Sequence, residues 1–148
     1  AIFTMTDPNK TLLYTTEIPI RYGDMDSNQH VNNTRYYQYL EDARIEWLDG
    51  LGAPRREVGQ GLVLLTCTHH FLKPAFHPGT IIVELYAGVV GRTSLTLEHK
   101  LYIKGQPDVI GYGDVKMVWI TVDNQRPIPV PNSVRLAMGA EPLDEAGS

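Results

Sequence analysis

The chain has 148 residues, of which 43% are hydrophobic and 20% charged, a composition that excludes a disordered chain or a long coiled coil. Its formal net charge is -4, whereas nucleic-acid-binding proteins usually carry an excess of basic residues, so no nucleic-acid partner is expected. The length predicts a single domain over residues 1–148.

The first predicted elements are a short strand, a polar loop and one long helix. Residues 15–21, TTEIPIR, predict a strand, and Pro19 places it at a sheet edge or at a bulge because proline donates no hydrogen bond to a neighbouring strand. The polar loop DMDSNQHVNN follows at residues 24–33. Apolar residues at helical spacing then predict a helix buried over most of its circumference, with Asn32 or Asn33 as N-cap and a Gly-Leu-Gly stop. The apolar residues are Tyr36, Leu40, Ala43, Trp47 and Leu51, with Tyr37, Ile45 and Leu48 beside them.

After the helix the hydrophobic period is two, which predicts four long strands separated by turns. These strands cover residues 62–71, 80–90, 93–104 and 109–122. A short turn of helix is predicted from Asn132 or Ser133. One long helix and an antiparallel sheet of about five strands give an α+β fold in which the sheet curls around the helix.

The cysteine content and hydropathy favour a cytoplasmic protein. Cys67 is the single cysteine, so an intrachain disulfide of the kind that staples secreted folds is excluded. The longest apolar runs, such as residues 61–67, are far shorter than the roughly 20 residues of a membrane-spanning helix. We therefore expect a soluble protein in a reducing compartment, without a membrane partner.

The loop at residues 24–33 concentrates the polar groups that chemistry requires. A calcium loop is excluded, because counting from Asp24 the sixth position is Gln29 instead of Gly and the twelfth is Arg35 instead of Glu. Zinc is not indicated, since His30 is the only local His or Cys. Helix capping and loop ordering explain part of the cluster. Capping does not account for a carboxylate and an imidazole beside the N-terminus of the predicted helix. The unpaired N–H groups there can stabilise a developing oxyanion, so the sequence favours attack on an activated acyl carbon.

The segment IPIRYGDMDSNQHVNNTRYYQYLEDARIEWLDGLG, residues 18–52, resembles the first strand, loop and central helix of the hotdog-fold thioesterases. The resemblance is to the 4-hydroxybenzoyl-CoA thioesterase group of acyl-CoA thioesterases in particular, and the D-x-N-x-H-V-N-N motif also resembles acyl-ACP thioesterases. It implies a hotdog fold and hydrolysis of an acyl-CoA to the free acid and CoA. It also implies a homodimer or a dimer of dimers with the site at a subunit interface, and no metal or redox cofactor.

The resemblance further implies roles for four residues of the loop. Asp26 matches the carboxylate that acts on the thioester as nucleophile or general base, and the backbone N–H of Asn33 would polarise the thioester carbonyl. In the acyl-ACP branch Asn28 and His30 act together with Asp26. That branch also uses a glutamate whose position here is Leu64, so its mechanism does not transfer whole and the simpler Asp26 mechanism is favoured.

Three alternatives stay open. A second hotdog subgroup takes its carboxylate from the central helix, which here would be Glu41, Asp42 or Glu46. Hotdog hydratases and dehydratases also handle acyl thioesters, although their helix motif differs from D-M-D-S-N-Q-H. A non-catalytic hotdog module would bind acyl thioesters as a sensor or scaffold.

Several other polar residues are predicted to be structural. Asp24 is expected to order the loop by accepting backbone hydrogen bonds. No Ser lies in the G-x-S-x-G context of a hydrolase elbow, which argues against a Ser-His-Asp mechanism. The residues expected to pack instead of react are Cys67 and the strand histidines His69, His70 and His99.

Overall fold

A computed structural model describes residues 10–54 and 58–144. Over these residues the chain forms a five-stranded sheet, one long helix, one short helix and a turn of 3-10 helix at Tyr22–Asp24. The strands are β1 (Leu12–Pro19), β2 (Gln60–Phe71), β3 (Thr80–Val90), β4 (Ser94–Ile103) and β5 (Val109–Thr121). The helices are α1 (Asn33–Gly50) and α2 (Asn132–Ala137).

The sheet is antiparallel throughout, in the order β1-β3-β4-β5-β2. Its edges are therefore β1 and β2, which confirms the edge position predicted from Pro19. The first strand starts earlier than predicted, at Leu12 instead of residue 15. A register shift between Leu12 and Tyr14 interrupts the period of two there, so the alternation that marks a strand is hidden in the sequence.

The two faces of the sheet differ in polarity, as β4 shows most clearly. Leu95, Leu97 and Leu101 lie in one core with the buried face of α1 and are almost fully buried, as the alternation predicts. His99 shares their face and is also buried. Glu98 points to the other face, where it pairs with Lys10.

The limits of α1 agree with the capping signals. Its N-cap is Asn32, whose side chain accepts a hydrogen bond from the Thr34 N–H at 2.9 Å. The helix ends at Gly50, and Gly52 follows in the left-handed region at φ +65°. The short helix near the C-terminus starts at Asn132, as predicted.

The prediction that α1 is buried over most of its circumference is wrong. Tyr37 and Ile45 are 39% and 41% exposed, on the side of the helix that faces β2. The physical reason is that β2 is an edge strand of the sheet, so no further strand among residues 10–54 and 58–144 covers this side. The buried residues are Tyr36, Tyr39, Leu40, Ala43, Trp47 and Leu48.

One long helix against an antiparallel five-stranded sheet confirms the predicted α+β architecture. Neither helix of the described ranges is both long and apolar enough to cross a membrane. The groove between α1 and the edge strand β2 is the part of this fold that leads to the polar loop.

Candidate active site

The polar loop folds back on itself just before α1. An isolated β-bridge joins Met25 to Val31 and closes the loop. Inside it, the Asp26 N–H donates to the His30 carbonyl at 3.1 Å, and the Gln29 N–H donates to the Asp26 carbonyl at 2.9 Å. Gln29 adopts φ +64°, the left-handed conformation that such a tight reversal requires. Asp26 and His30 are thereby held on facing arms of one turn.

The Asp26 carboxylate is oriented by two neutral donors. Its Oδ1 accepts from the Asn28 backbone N–H at 2.9 Å, and its Oδ2 accepts from Asn32 Nδ2 at 3.1 Å. Within the described part of the chain no Lys or Arg lies at ion-pair distance from it. Two hydrogen bonds to neutral donors, with no ion pair to a described Lys or Arg, leave the carboxylate fixed in direction and able to accept from water or a substrate.

The neighbouring carboxylate of Asp24 has a different environment. It is buried, and its Oδ2 accepts from the Tyr39 hydroxyl at 2.8 Å and the Arg21 N–H at 3.0 Å. Burial, and then the hydrogen bond to Asp24, raise the pKa of Tyr39. Arg35 Nε lies 3.8 Å from Asp24 Oδ1. These contacts confirm that Asp24 orders the loop, and they leave Asp26 as the accessible acid of the pair.

The first backbone amides of α1 differ in their hydrogen-bond partners. The Thr34 N–H is capped by Asn32 Oδ1, and the Arg35 N–H donates to the Asn32 carbonyl at 2.9 Å. The Asn33 N–H has no acceptor among the residues that the structure describes. This N–H and the partial positive charge at the start of α1 can therefore stabilise a negatively charged oxygen next to them.

A cavity of about 240 Å³ opens beside this first helical turn and is here called the site cavity. It contains Asn33 and His30 together, while Asp26 and Asn28 lie outside its lining. Its walls are His30, Val31, Asn33 and Tyr36 from the loop and helix, and Phe71, Leu72, Lys73 and Pro74 from the end of β2 and the turn after it. The lining is mostly apolar and includes the first residue of α1, Asn33.

The side chains of His30 and Asn28 are placed differently. His30 Nδ1 lies 3.3 Å from the Val31 carbonyl, and the ring packs edge-on against Phe76 with centroids 6.4 Å apart. If Nδ1 carries the proton and donates to that carbonyl, Nε2 is an acceptor. Asn28 is exposed and reaches Asp26 through its backbone N–H instead of its side chain.

The carboxylates of the central helix lie away from the site cavity. Glu46 accepts from the Tyr14 hydroxyl at 3.0 Å and from Thr16 Oγ1 at 2.9 Å, both on β1. Glu41 and Asp42 are each within 3.5 Å of the Gln38 side chain. Among the described residues no three His, Cys, Asp or Glu side chains are grouped so as to hold a metal ion.

The histidines of the strands include a buried pair. His69 Nδ1 lies 2.9 Å from His99 Nε2, and Gly113 of β5 is the register partner of both residues. Burial lowers the pKa of His69 to about 4 and that of His99 well below its usual value. His70 is exposed and stacks on the Tyr112 ring with centroids 4.7 Å apart.

Sequence reasoning missed the walls of the site cavity. The hydrophobic spacing predicts only a core position in the helix for Tyr36 and only a strand position for Phe71. The period of two in β2 was the available signal, because it puts His69 and Phe71 on the same face of that strand, towards α1. The position of Lys73 could not be foreseen, since it lies in the turn after β2.

Comparison with known proteins finds matches over most of the chain. The family model of the Thioesterase-like superfamily matches residues 20–138. The structure of the PA2801 protein from Pseudomonas aeruginosa is 47% identical with a TM-score of 0.81, covering 86% of this chain and 99% of that one. The structure of BH1999, a gentisyl-coenzyme A thioesterase, is 26% identical with a TM-score of 0.75, covering 84% of this chain and 99% of that one.

A longer plant protein is also similar. The chloroplastic acyl-acyl carrier protein thioesterase ATL3 of Arabidopsis thaliana is 25% identical over 124 residues, which make up 80% of this chain and 64% of the plant protein. The chain thus spans less than two thirds of the length of that relative.

Proposed function

The chain belongs to the thioesterase-like superfamily and has its hotdog fold, and from this premise we propose that it hydrolyses an acyl-CoA thioester to the free carboxylic acid and coenzyme A. The proposal rests on one juxtaposition in the described structure. The carboxylate of Asp26, held by two neutral donors, adjoins a helix N-terminus whose Asn33 N–H has no acceptor there. A base or nucleophile next to an oxyanion donor is what acyl transfer to water needs.

In the proposed reaction the thioester carbonyl accepts a hydrogen bond from the Asn33 N–H. Asp26 takes a proton from water as the C–O bond forms, or attacks the carbonyl carbon itself. The carbonyl oxygen becomes an oxyanion, which the amide and the end of α1 stabilise more than the ground state; one such donor contributes about 3–4 kcal/mol in other hydrolases. On the general-base route the C–S bond then breaks, and the CoA thiolate leaves and takes up the proton from Asp26. On the nucleophilic route loss of the CoA thiolate leaves an anhydride between the acyl group and Asp26; water hydrolyses it to the free acid and the Asp26 carboxylate, and the proton released goes to the thiolate.

The remaining loop residues have supporting roles in this proposal. Asn32 Nδ2 and the Asn28 N–H fix the direction of the Asp26 carboxylate. His30 lines the site cavity, where its ring orients the water or the thioester. Asn28 therefore contributes through its backbone, and its side chain has the weakest claim to a role among the four predicted residues.

A homodimer, or a dimer of dimers, is part of the proposal. β2 is a 12-residue edge strand, and its unpaired backbone groups and apolar side chains are exposed. The exposed apolar residues are Val63, Leu64, Leu65 and Phe71. Pairing of two β2 edges would cover them and bring the site cavity, at the end of β2, to the subunit interface. Light scattering of the purified protein tests this assembly. The cytoplasmic location is a separate prediction, which rests on the single cysteine.

A thiol-release assay tests the activity. Wild type is compared with Asp26→Ala and with Asp42→Ala over a panel of acyl-CoAs. We expect Asp26→Ala to lower kcat/KM at least ~100-fold at an unchanged Tm, since general base catalysis contributes about that much. Asp42→Ala, a helix carboxylate outside the site cavity, should keep wild-type activity. Full turnover by Asp26→Ala would refute the assignment, and loss in Asp42→Ala alone would favour the helix-acid subgroup.

An acyl-ACP substrate is the second candidate, because the similarity to the Arabidopsis thioesterase favours it. The same acyl groups presented on acyl carrier protein separate the two carriers by kcat/KM. Release of no thiol from either carrier, together with binding of acyl-CoA in calorimetry, would indicate a binding module instead. A hydratase would act on an enoyl thioester and likewise release no thiol.

A further inference from the structure

Four aromatic rings form a continuous cluster across the groove between α1 and β2. This ring cluster consists of Tyr36 and Tyr37 on α1 and His69 and Phe71 on β2. Ring centroids are 4.7 Å apart for His69 and Phe71, 5.4 Å for Tyr36 and Phe71, and 5.7 Å for Tyr36 and His69. Tyr37 lies 6.4 Å from both His69 and Phe71. The rings therefore bridge the helix and the edge strand without a gap.

A second cavity of about 300 Å³ lies in the same groove, beyond the ring cluster. The residues that line the second cavity come after the ring cluster on α1 and before it on β2. The site cavity is lined by residues on the other side, such as Asn33 before the cluster on α1 and Leu72 after it, directly past the end of β2. The two cavities thus lie on opposite sides of the rings. The walls of the second cavity include Glu41, Arg44, Ile45 and Leu48 on α1, and Leu62 and Leu64 on β2.

The position of the cluster limits the space beyond the Asn33 amide. Tyr36 and Tyr37 come three and four residues after Asn33, which is about one helical turn or ~5.4 Å along the axis. An extended chain of roughly four carbon–carbon bonds spans that distance at ~1.5 Å per bond. The site cavity of about 240 Å³ is also smaller than the roughly 300–1,000 Å³ of pockets for drug-sized ligands.

The four rings differ in what else they support. Tyr36 and His69 are buried in the core, so their removal would disturb the packing of α1 on the sheet. In the single chain Tyr37 and Phe71 are 39% and 46% exposed and complete the cluster on its outer side, where the proposed pairing of two β2 edges would cover Phe71. Truncation of these two outer rings opens the groove without leaving an internal void in the core.

We propose that the ring cluster is the inner wall of the acyl-binding site, and that Tyr37 and Phe71 restrict the enzyme to acyl-CoAs with compact acyl groups. This inference rests on the proposed thioesterase function and specifies its substrate class. Phe71 lines the site cavity and Tyr37 packs on Phe71, so loss of either ring would extend the site cavity along the groove towards the second cavity, whose apolar residues Leu48, Leu62 and Leu64 then accept a longer chain.

The test compares kcat/KM for straight-chain acyl-CoAs of four to sixteen carbons among wild type, Tyr37→Ala and Phe71→Ala. Tyr37→Phe is the matched control, because it keeps the ring and removes only the hydroxyl. Tyr22→Ala is a second control, since that ring is exposed and packs on His77 away from the groove. We expect wild type to favour short chains, and each alanine variant of the cluster to raise the ratio of long-chain to short-chain kcat/KM at least ~10-fold. Both controls should keep the wild-type ratio.

Non-hydrolysable S-alkyl-CoA thioethers give a readout that does not depend on turnover. Butyl-CoA and hexadecyl-CoA thioethers are titrated calorimetrically into the same proteins, and Tyr37→Ala should tighten binding of the long thioether alone. The proposal that the ring cluster limits acyl chain length would be refuted if Tyr37→Ala and Phe71→Ala kept the wild-type chain-length ratios and affinities. A preference of the wild type for long chains would refute it as well. Absence of thiol release by wild type at every chain length would instead refute the proposed function, while the thioether titration still decides whether the wall exists.

Discussion

The side-chain amide of Asn32 joins the start of α1 to the carboxylate of Asp26. Its Oδ1 caps the helix by accepting from the Thr34 N–H at 2.9 Å, and its Nδ2 donates to Asp26 Oδ2 at 3.1 Å. One side chain thereby fixes the position where the helix dipole begins and the direction of the carboxylate proposed as general base or nucleophile. The two functions use opposite ends of the amide, so substitution can separate them.

Asn32→Asp retains the cap and removes the donor to Asp26. Aspartate caps helices about as well as asparagine, so the free energy of unfolding should change by less than about 0.5 kcal/mol. The new carboxylate repels that of Asp26 instead of donating a hydrogen bond to it, so Asp26 loses its fixed direction and we expect kcat to fall ~10-fold or more. Asn32→Ala should lose activity and also about 1 kcal/mol of stability. Urea denaturation and the thiol-release assay measure both; wild-type turnover in Asn32→Asp would show that Nδ2 does not position Asp26.

Asp24→Ala is expected to act on stability first. The substitution leaves the buried Tyr39 hydroxyl and the Arg21 N–H without their acceptor, which costs about 2–4 kcal/mol. Tyr39→Phe removes only one of the two hydrogen bonds and should cost about 1 kcal/mol. Chemical denaturation of both variants checks the difference. A fully stable Asp24→Ala would contradict the structural role assigned to this carboxylate.

The sequence predicts features that depend on local chemistry, such as the cap at Asn32 and the period-two alternation around Leu97. Features that depend on contacts between distant elements are not encoded locally. Tyr37 has the spacing of a core residue, yet it is partly exposed because β2 happens to be the edge strand next to it. The same holds for the site: the loop sequence indicates Asp26, whereas the cavity wall at Phe71 depends on the packing of β2 against α1.

Gly113→Ala should be strongly destabilising. A Cβ built at this position would lie 1.8 Å from the Thr68 carbonyl oxygen on the neighbouring strand, so β2 and β5 would have to separate there. We expect a loss of about 3 kcal/mol or more in the free energy of unfolding. Gly23→Ala is the matched control, because a Cβ there meets nothing within 4 Å. Thermal denaturation compares the two, and equal Tm values would contradict the tight register of β2 on β5.

The buried histidine pair makes stability dependent on pH. Burial keeps His69 and His99 neutral in the folded protein, with the pKa of His69 lowered to about 4. Positive charge on His69, Arg44 and His70 lowers the pKa of His99 further. In the unfolded chain both imidazoles take up a proton near pH 6.5. The unfolded state therefore binds more protons than the folded state between pH 6.5 and about 4, and stability falls as the pH is lowered through that window.

A His99→Gln variant should flatten this pH dependence. Between pH 7 and pH 5 we expect the free energy of unfolding of the wild type to fall by on the order of 1–2 kcal/mol for each buried histidine. The variant lacks one of the two titrating groups, so its loss over the same interval should be smaller by about that amount. Urea midpoints in matched buffers measure it, with His77→Gln as the control because His77 is exposed and does not contribute to the lowered pKa of either buried histidine. An equal pH dependence in His99→Gln and wild type would show that the buried pair does not set acid stability.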